Sequence, residues 1–63
     1  MDYSIELFLQ IVATTDMAIL VTDGVKEAWL PRSTIDGDPM EFEVGQSYQM
    51  TIKSWIAEKK GFV

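Results

Sequence analysis

The stretch MAILVTDGVKEAWLP, residues 17–31, admits few backbone paths. Two runs with period-two patterning flank Asp23-Gly24, a pair that tolerates positive φ and favours a tight hairpin. A two-residue type I′ loop would set Thr22 against Val25, Ile19 opposite Ala28 and Ala18 opposite Trp29. One face of the hairpin then carries Met17, Ile19, Val21, Lys26, Ala28 and Leu30; the other carries Ala18, Leu20, Thr22, Val25, Glu27 and Trp29. Both faces are apolar at the end away from the loop. A flat sheet wet on one side has no use for that, whereas a sheet that curls, or one covered on its second face, does. Pairing is assigned from loop length, and a slip of one residue would exchange the faces.

The flanking segments continue the pattern. SIELFLQIVA places Ile5, Leu7, Leu9, Ile11 and Ala13 on one side, predicting a strand over 3–13, with Phe8 and Val12 interrupting an otherwise polar second side. Thr14-Thr15-Asp16 supplies a turn. Pro31 cannot donate to a ladder and is expected to stop its strand. PRSTI suits one helical turn that carries Ile35 inward, and DGDP at 36–39 has loop chemistry. MEFEV predicts a strand with Met40, Phe42 and Val44 inward, Gly45-Gln46 a turn, and SYQMTIK a strand with Tyr48, Met50 and Ile52 inward. The period then changes: Ser54 is the expected N-cap of a short helix over 55–60, Gly61 its C′ residue, and Phe62 its hydrophobic closure.

A chain of 63 residues forms a single domain, residues 1–63, and buries only about 60% of its unfolded surface. It has neither cysteine nor histidine, so no disulfide can staple it, and no metal or other cofactor is expected. Self-association is the staple that remains, and a homodimer is one expectation. Hydrophobic residues make up 48% of the chain, which argues for a folded core rather than an acidic disordered tail. No apolar run is long enough to span a bilayer, and MDYSIE lacks the charge pattern of a signal peptide, so a cytoplasmic location is expected. The net charge of −5 opposes binding to a polyanion, although Arg32, Lys53, Lys59 and Lys60 leave room for a local basic patch.

Short strands, a tight hairpin and one terminal helix predict a mainly β fold, a small OB- or SH3-like β-barrel of four to five strands. Over residues 11–53, AILVTDGVKEAWLPRS and FEVGQSYQMTI resemble the RNA-binding OB domains repeated in the largest protein of the ribosomal small subunit. The second strand lacks that family's aromatic, and Leu30-Pro31 stands at its corner, so the stacking platform for single-stranded nucleic acid is missing. A second resemblance covers residues 17–63. WLPRSTI with SWIAEKKGFV is similar to small proteins of tailed bacteriophages and other mobile elements that carry a WLP-x-S-x-I corner and a W-(I/L)-A-x-x-K-G tail. That resemblance implies a phage or prophage setting among genes that handle DNA, and a class rich in inhibitors of host enzymes or defence systems.

The chain has no histidine or cysteine nucleophile system and no phosphate-binding glycine loop. Its paired carboxylates, Asp36 with Asp38 and Glu41 with Glu43, fall in a loop and on an outward strand face rather than in a dry pocket, so no enzymatic activity is expected. The DGD of that loop lacks the rest of a calcium-binding set. Trp55 is expected in the core. Trp29 either lies under the terminal helix or anchors a partner. The acidic residues either protect a strand edge or imitate phosphates on a target's nucleic-acid site. The expected function is therefore protein binding that inhibits or modulates a nucleic-acid-handling or defence protein of host or phage, through Trp29, Leu30, Arg32, Asp36, Asp38, Glu41 and Glu43. The alternatives are a single-strand binder or an accessory subunit added by strand pairing.

Overall fold

A computed structural model describes residues 3–36 and 42–63. The elements are β1 (Ser4–Thr14), β2 (Ala18–Thr22), β3 (Glu27–Pro31), a 3-10 turn (Arg32–Thr34), β4 (Ile35–Asp36), β5 (Ser47–Lys53) and α1 (Ser54–Lys59). Among the described residues the strands form one antiparallel sheet in the order β3-β2-β1-β5-β4, with α1 as the one short α-helix. The mainly β class is as expected, but the sheet stays open: β3 and β4 are its two edges rather than a closed barrel seam.

Alternation decides which residues are inside. Leu9 and Ile11 of β1, Ile19 and Val21 of β2, Leu30 of β3, Ile35 of β4, and Met50 and Ile52 of β5 share one face with Ile56 and Ala57 of α1. Ile5, Leu7, Phe42, Tyr48 and Phe62 pack around them. The β1–β2 register jumps between Ile11, opposite Val21, and Ala13, opposite Leu20. Val12 is the additional residue of a β-bulge, which bends β1 and turns Ala13 to the outer face, not the inner one its spacing predicts.

The β2–β3 hairpin is longer than its Asp-Gly signal suggests. Thr22 pairs with Glu27, Leu20 with Trp29 and Ile19 with Leu30. The shift is two residues, so every paired side chain keeps its expected face while its partner changes, and Val25 and Lys26 pass from the expected strand into the loop. Side chains hold the wider loop. The Asp23 carboxylate accepts from the N–H groups of Val25 (2.8 Å) and Lys26 (2.9 Å). Thr22 Oγ1 donates to the Lys26 carbonyl (2.8 Å) and accepts from Gly24 N–H (3.0 Å). These bonds satisfy backbone groups that a two-residue loop would pair directly.

Two further segments depart from expectation. Residues 42–43 are not strand, and Glu43–Gln46 is a turn closed by Gln46 N–H to the Glu43 carbonyl (3.1 Å), with Gly45 at φ 93°. That is the positive φ a type II turn needs at its third residue. Val44 sits at the corner, exposed rather than inward; Met40 lies outside the described residues. Ser54 is the first helical residue and not the cap: Lys53, extended at φ −64° and ψ 133°, holds the N-cap position without a side-chain bond, and Ser54 N–H donates to the Tyr3 carbonyl (2.7 Å). The C-terminus closes as expected: Phe62 N–H reaches the Ala57 carbonyl (2.9 Å), Gly61 N–H the Glu58 carbonyl (3.1 Å), and Gly61 has φ 82°. This is a Schellman motif. Lys26 Nζ donates to the Gly61 carbonyl (2.6 Å), tying the hairpin loop to the end of the helix. Among the described residues, no helix is long and apolar enough to cross a membrane.

Candidate docking surface

With α1 on the inner face, no element among the described residues covers the outer face of the sheet. Its side chains follow from register. Pro31 and Ala18 form one row, Trp29, Leu20 and Ala13 the next, and Glu27, Thr22, Gln10 and Ser47 a polar belt. Beyond the belt come Phe8 opposite Gln49, then Glu6, Thr51 and Asp36, then Ser4 opposite Lys53. Phe8 is 67% exposed and Trp29 43%. A hollow of about 230 Å³ lies between Phe8, Gln10, Thr22, Asp23, Gly24 and Ser47.

The charges on this face are mostly negative. Glu6, Glu27 and Asp36 point outward with a single described cation, Lys53. Lys53 Nζ lies 3.4 Å from Asp36 Oδ1, and Ser4 Oγ donates to Asp36 Oδ2 at 2.7 Å. The Ser4 hydroxyl first, and the Lys53 charge second, hold the Asp36 carboxyl below its ordinary pKa. The Asp23 carboxyl is also lowered, chiefly by the N–H groups of Lys26 and Val25.

The expected contact residues are distributed unevenly. Trp29 is on the outer face beside Leu20, so it neither fills the core nor belongs to the face that α1 covers. Leu30 is 0% exposed on the inner face opposite Ile19 and is a core residue, which corrects its place in a contact surface. The strand alternation that exposes Trp29 obliges its neighbour to face inward. Arg32 is held in the 3-10 turn: its Nε donates to the Thr15 carbonyl (3.0 Å), and its guanidinium carbon sits 5.9 Å from the centre of the Phe42 ring. Asp36 lies on the outer face at the β4 edge, with three strands between it and the β3 that carries Trp29. Glu43 is exposed in the turn before β5, where its N–H donates to Tyr48 Oη (3.0 Å). Asp38 and Glu41 lie outside the described residues.

Trp55, expected inside, is 50% exposed, because Ile56 and Ala57 are the residues of α1 that face the sheet. Phe8 is the surface aromatic that motif reading passed over. The signal for it was the apolar interruption on the polar side of β1. Among the described residues, no cluster of three or more carboxylates could hold a metal ion. What this surface can do chemically is dock: aromatic and aliphatic side chains offer contact area, and carboxylates around them select a cationic partner. Comparison with protein-family models, curated proteins and solved structures finds no match to this chain.

Proposed function

We propose that this chain is a non-enzymatic binding protein of a phage or other mobile element. It docks the outer face of its sheet on a basic surface of a nucleic-acid-handling or defence protein, and so inhibits or modulates that protein. The observation that carries the reading is the exposure of Phe8 and Trp29 on a face whose free charges, Glu6 and Glu27, are acidic. Asp36 adds to that sign even though Lys53 partly offsets it. Such a face repels nucleic acid and attracts the cationic groove that nucleic acid would occupy. A second reading, direct binding of single strands, has one feature in its favour: Lys26, bonded to the Gly61 carbonyl, brings its ammonium to the end of α1 that carries Lys59 and Lys60.

The test captures partners from host lysate on the tagged chain and on a Glu6→Lys/Glu27→Lys variant of unchanged circular dichroism. A captured nucleic-acid-handling protein that is displaced by DNA or RNA, and lost with the variant, supports the reading. Capture that neither competitor nor charge reversal disturbs refutes it. Retardation of a labelled oligonucleotide by the chain alone, with a steep salt slope, would favour the second reading.

A further inference from the structure

Among the described residues, β2 is the only strand that pairs with β3, so β3 has a free edge. Its ladder parity follows from the bonds at either end. Asp23 N–H donates to the Lys26 carbonyl (3.3 Å) and Arg32 N–H to the Met17 carbonyl (2.9 Å). In an antiparallel pair the bonded positions alternate, so Ala28 and Leu30 turn their backbone groups to β2 while Glu27, Trp29 and Pro31 turn theirs away. This explains how Pro31 ends β3 as a paired residue and not just beyond it: its nitrogen faces where no donor is needed. The Pro31 carbonyl accepts from Thr34 Oγ1 (2.6 Å). The edge therefore presents the N–H and C=O groups of Glu27 and Trp29, both exposed residues.

We propose that two copies of the chain pair antiparallel through β3, with Glu27 opposite the partner's Trp29 and Ala28 on the two-fold axis. This register uses every outward group. Glu27 N–H donates to the carbonyl of the partner's Trp29, Trp29 N–H to the carbonyl of the partner's Glu27, and symmetry repeats both. Neighbouring registers fail on identifiable groups. Centring the pair on Trp29 sets Glu27 against Pro31, which has no N–H and whose carbonyl is engaged. Centring it on Glu27 opposes like charges and sets Trp29 against Val25, whose N–H is held by Asp23. In the chosen register Ala28 meets its copy as a non-hydrogen-bonded pair, where Cα atoms approach to about 4.5 Å; a small side chain suits that spacing. Any strand laid on this edge must end its ladder at Pro31; a second copy in this register ends at the same residue, so no outward group of Glu27 or Trp29 is left over on either side. Pairing also removes an exposed edge from a domain that lacks disulfides. The inference does not depend on the proposed function: it uses the backbone groups of Glu27 and Trp29, whose side chains keep to the outer face in either case.

Sedimentation velocity of the full chain over a wide concentration range tests it, together with Glu27→Pro. That substitution deletes an outward N–H and spares the β2 ladder. It is expected to weaken dimerisation roughly 30-fold, since two symmetry-related bonds are lost. As an independent readout, Ala28→Cys is expected to form a disulfide-linked dimer on mild oxidation, and Gln49→Cys on the outer face of β5 is not. The chain has no other cysteine. A chain that stays monomeric at every concentration, dimerisation indifferent to Glu27→Pro, or equal cross-linking of the two cysteine variants would each overturn the proposal. If Glu27→Pro does not fold, the cross-linking comparison decides.

Discussion

Replacing Leu30 by alanine tests the placement of the whole hairpin. The Leu30 side chain is 0% exposed, opposite Ile19, in a core shared by all five strands and α1. Truncation removes three carbons, about 2.4 kcal/mol of transfer free energy at roughly 0.8 kcal/mol per group. A cavity term brings the total to about 3 kcal/mol or more. At about 0.05–0.15 kcal/mol per residue, a domain of this size has only about 3–9 kcal/mol to lose. The midpoint of a thermal melt should therefore fall by about 12–24 °C. Urea titration followed by far-ultraviolet circular dichroism should show the same loss with an unchanged slope, which separates native-state destabilisation from altered compactness. Trp29→Ala is the matched control, because that ring is already 43% exposed, and it should cost about 1–2 kcal/mol. If Trp29→Ala proves the more damaging of the two, β3 is in the opposite register and the assignment of inner and outer faces is wrong.

Two other outcomes follow from local chemistry. The Asp23 and Asp36 carboxyls are lowered in the folded chain, so both favour folding when ionised. That stability is present above the ordinary carboxylate pKa, and it is lost as pH falls through about 4 toward the lowered folded values. Melting temperature measured against pH should drop over this acid range, and the drop should be smaller in Ser4→Ala, which removes the hydroxyl holding Asp36. Gly61→Ala should destabilise the chain by about 1–2 kcal/mol in a urea titration, since a Cβ is disfavoured at positive φ. The added atom would also sit 3.0 Å from Lys26 Nζ, disturbing the tie between hairpin and helix. An unchanged midpoint would mean that the Schellman closure contributes nothing.

The physical grounds for reading elements from this sequence were strongest where periodicity was unbroken. The alternation of Tyr48, Met50 and Ile52 placed β5, and Gly61 with Phe62 placed the end of α1, because each depends on neighbours in sequence. MEFEV misled in part for the same reason: Phe42 packs against the core as its alternation predicts, but Gly45 and Gln46 bond to Ile11 and bend the chain, which leaves Val44 exposed. The site was legible in part. Trp29 and Asp36 are on the outer face, Leu30 is not, and Phe8 was visible only as an anomaly on the polar side of β1.

Chain chemistry alone set the inward and outward residues of the hairpin, since a strand's side chains alternate whatever it pairs with. The absence of cysteine and histidine and the acidic excess are likewise properties of the chain, and they narrow its chemistry before it folds. Partnership across strands depended on the folded arrangement: the two-residue offset of β2 against β3, the bulge at Val12, and the open edges of the sheet. Those features rest on hydrogen bonds and contacts between residues far apart in sequence, which local patterning does not encode.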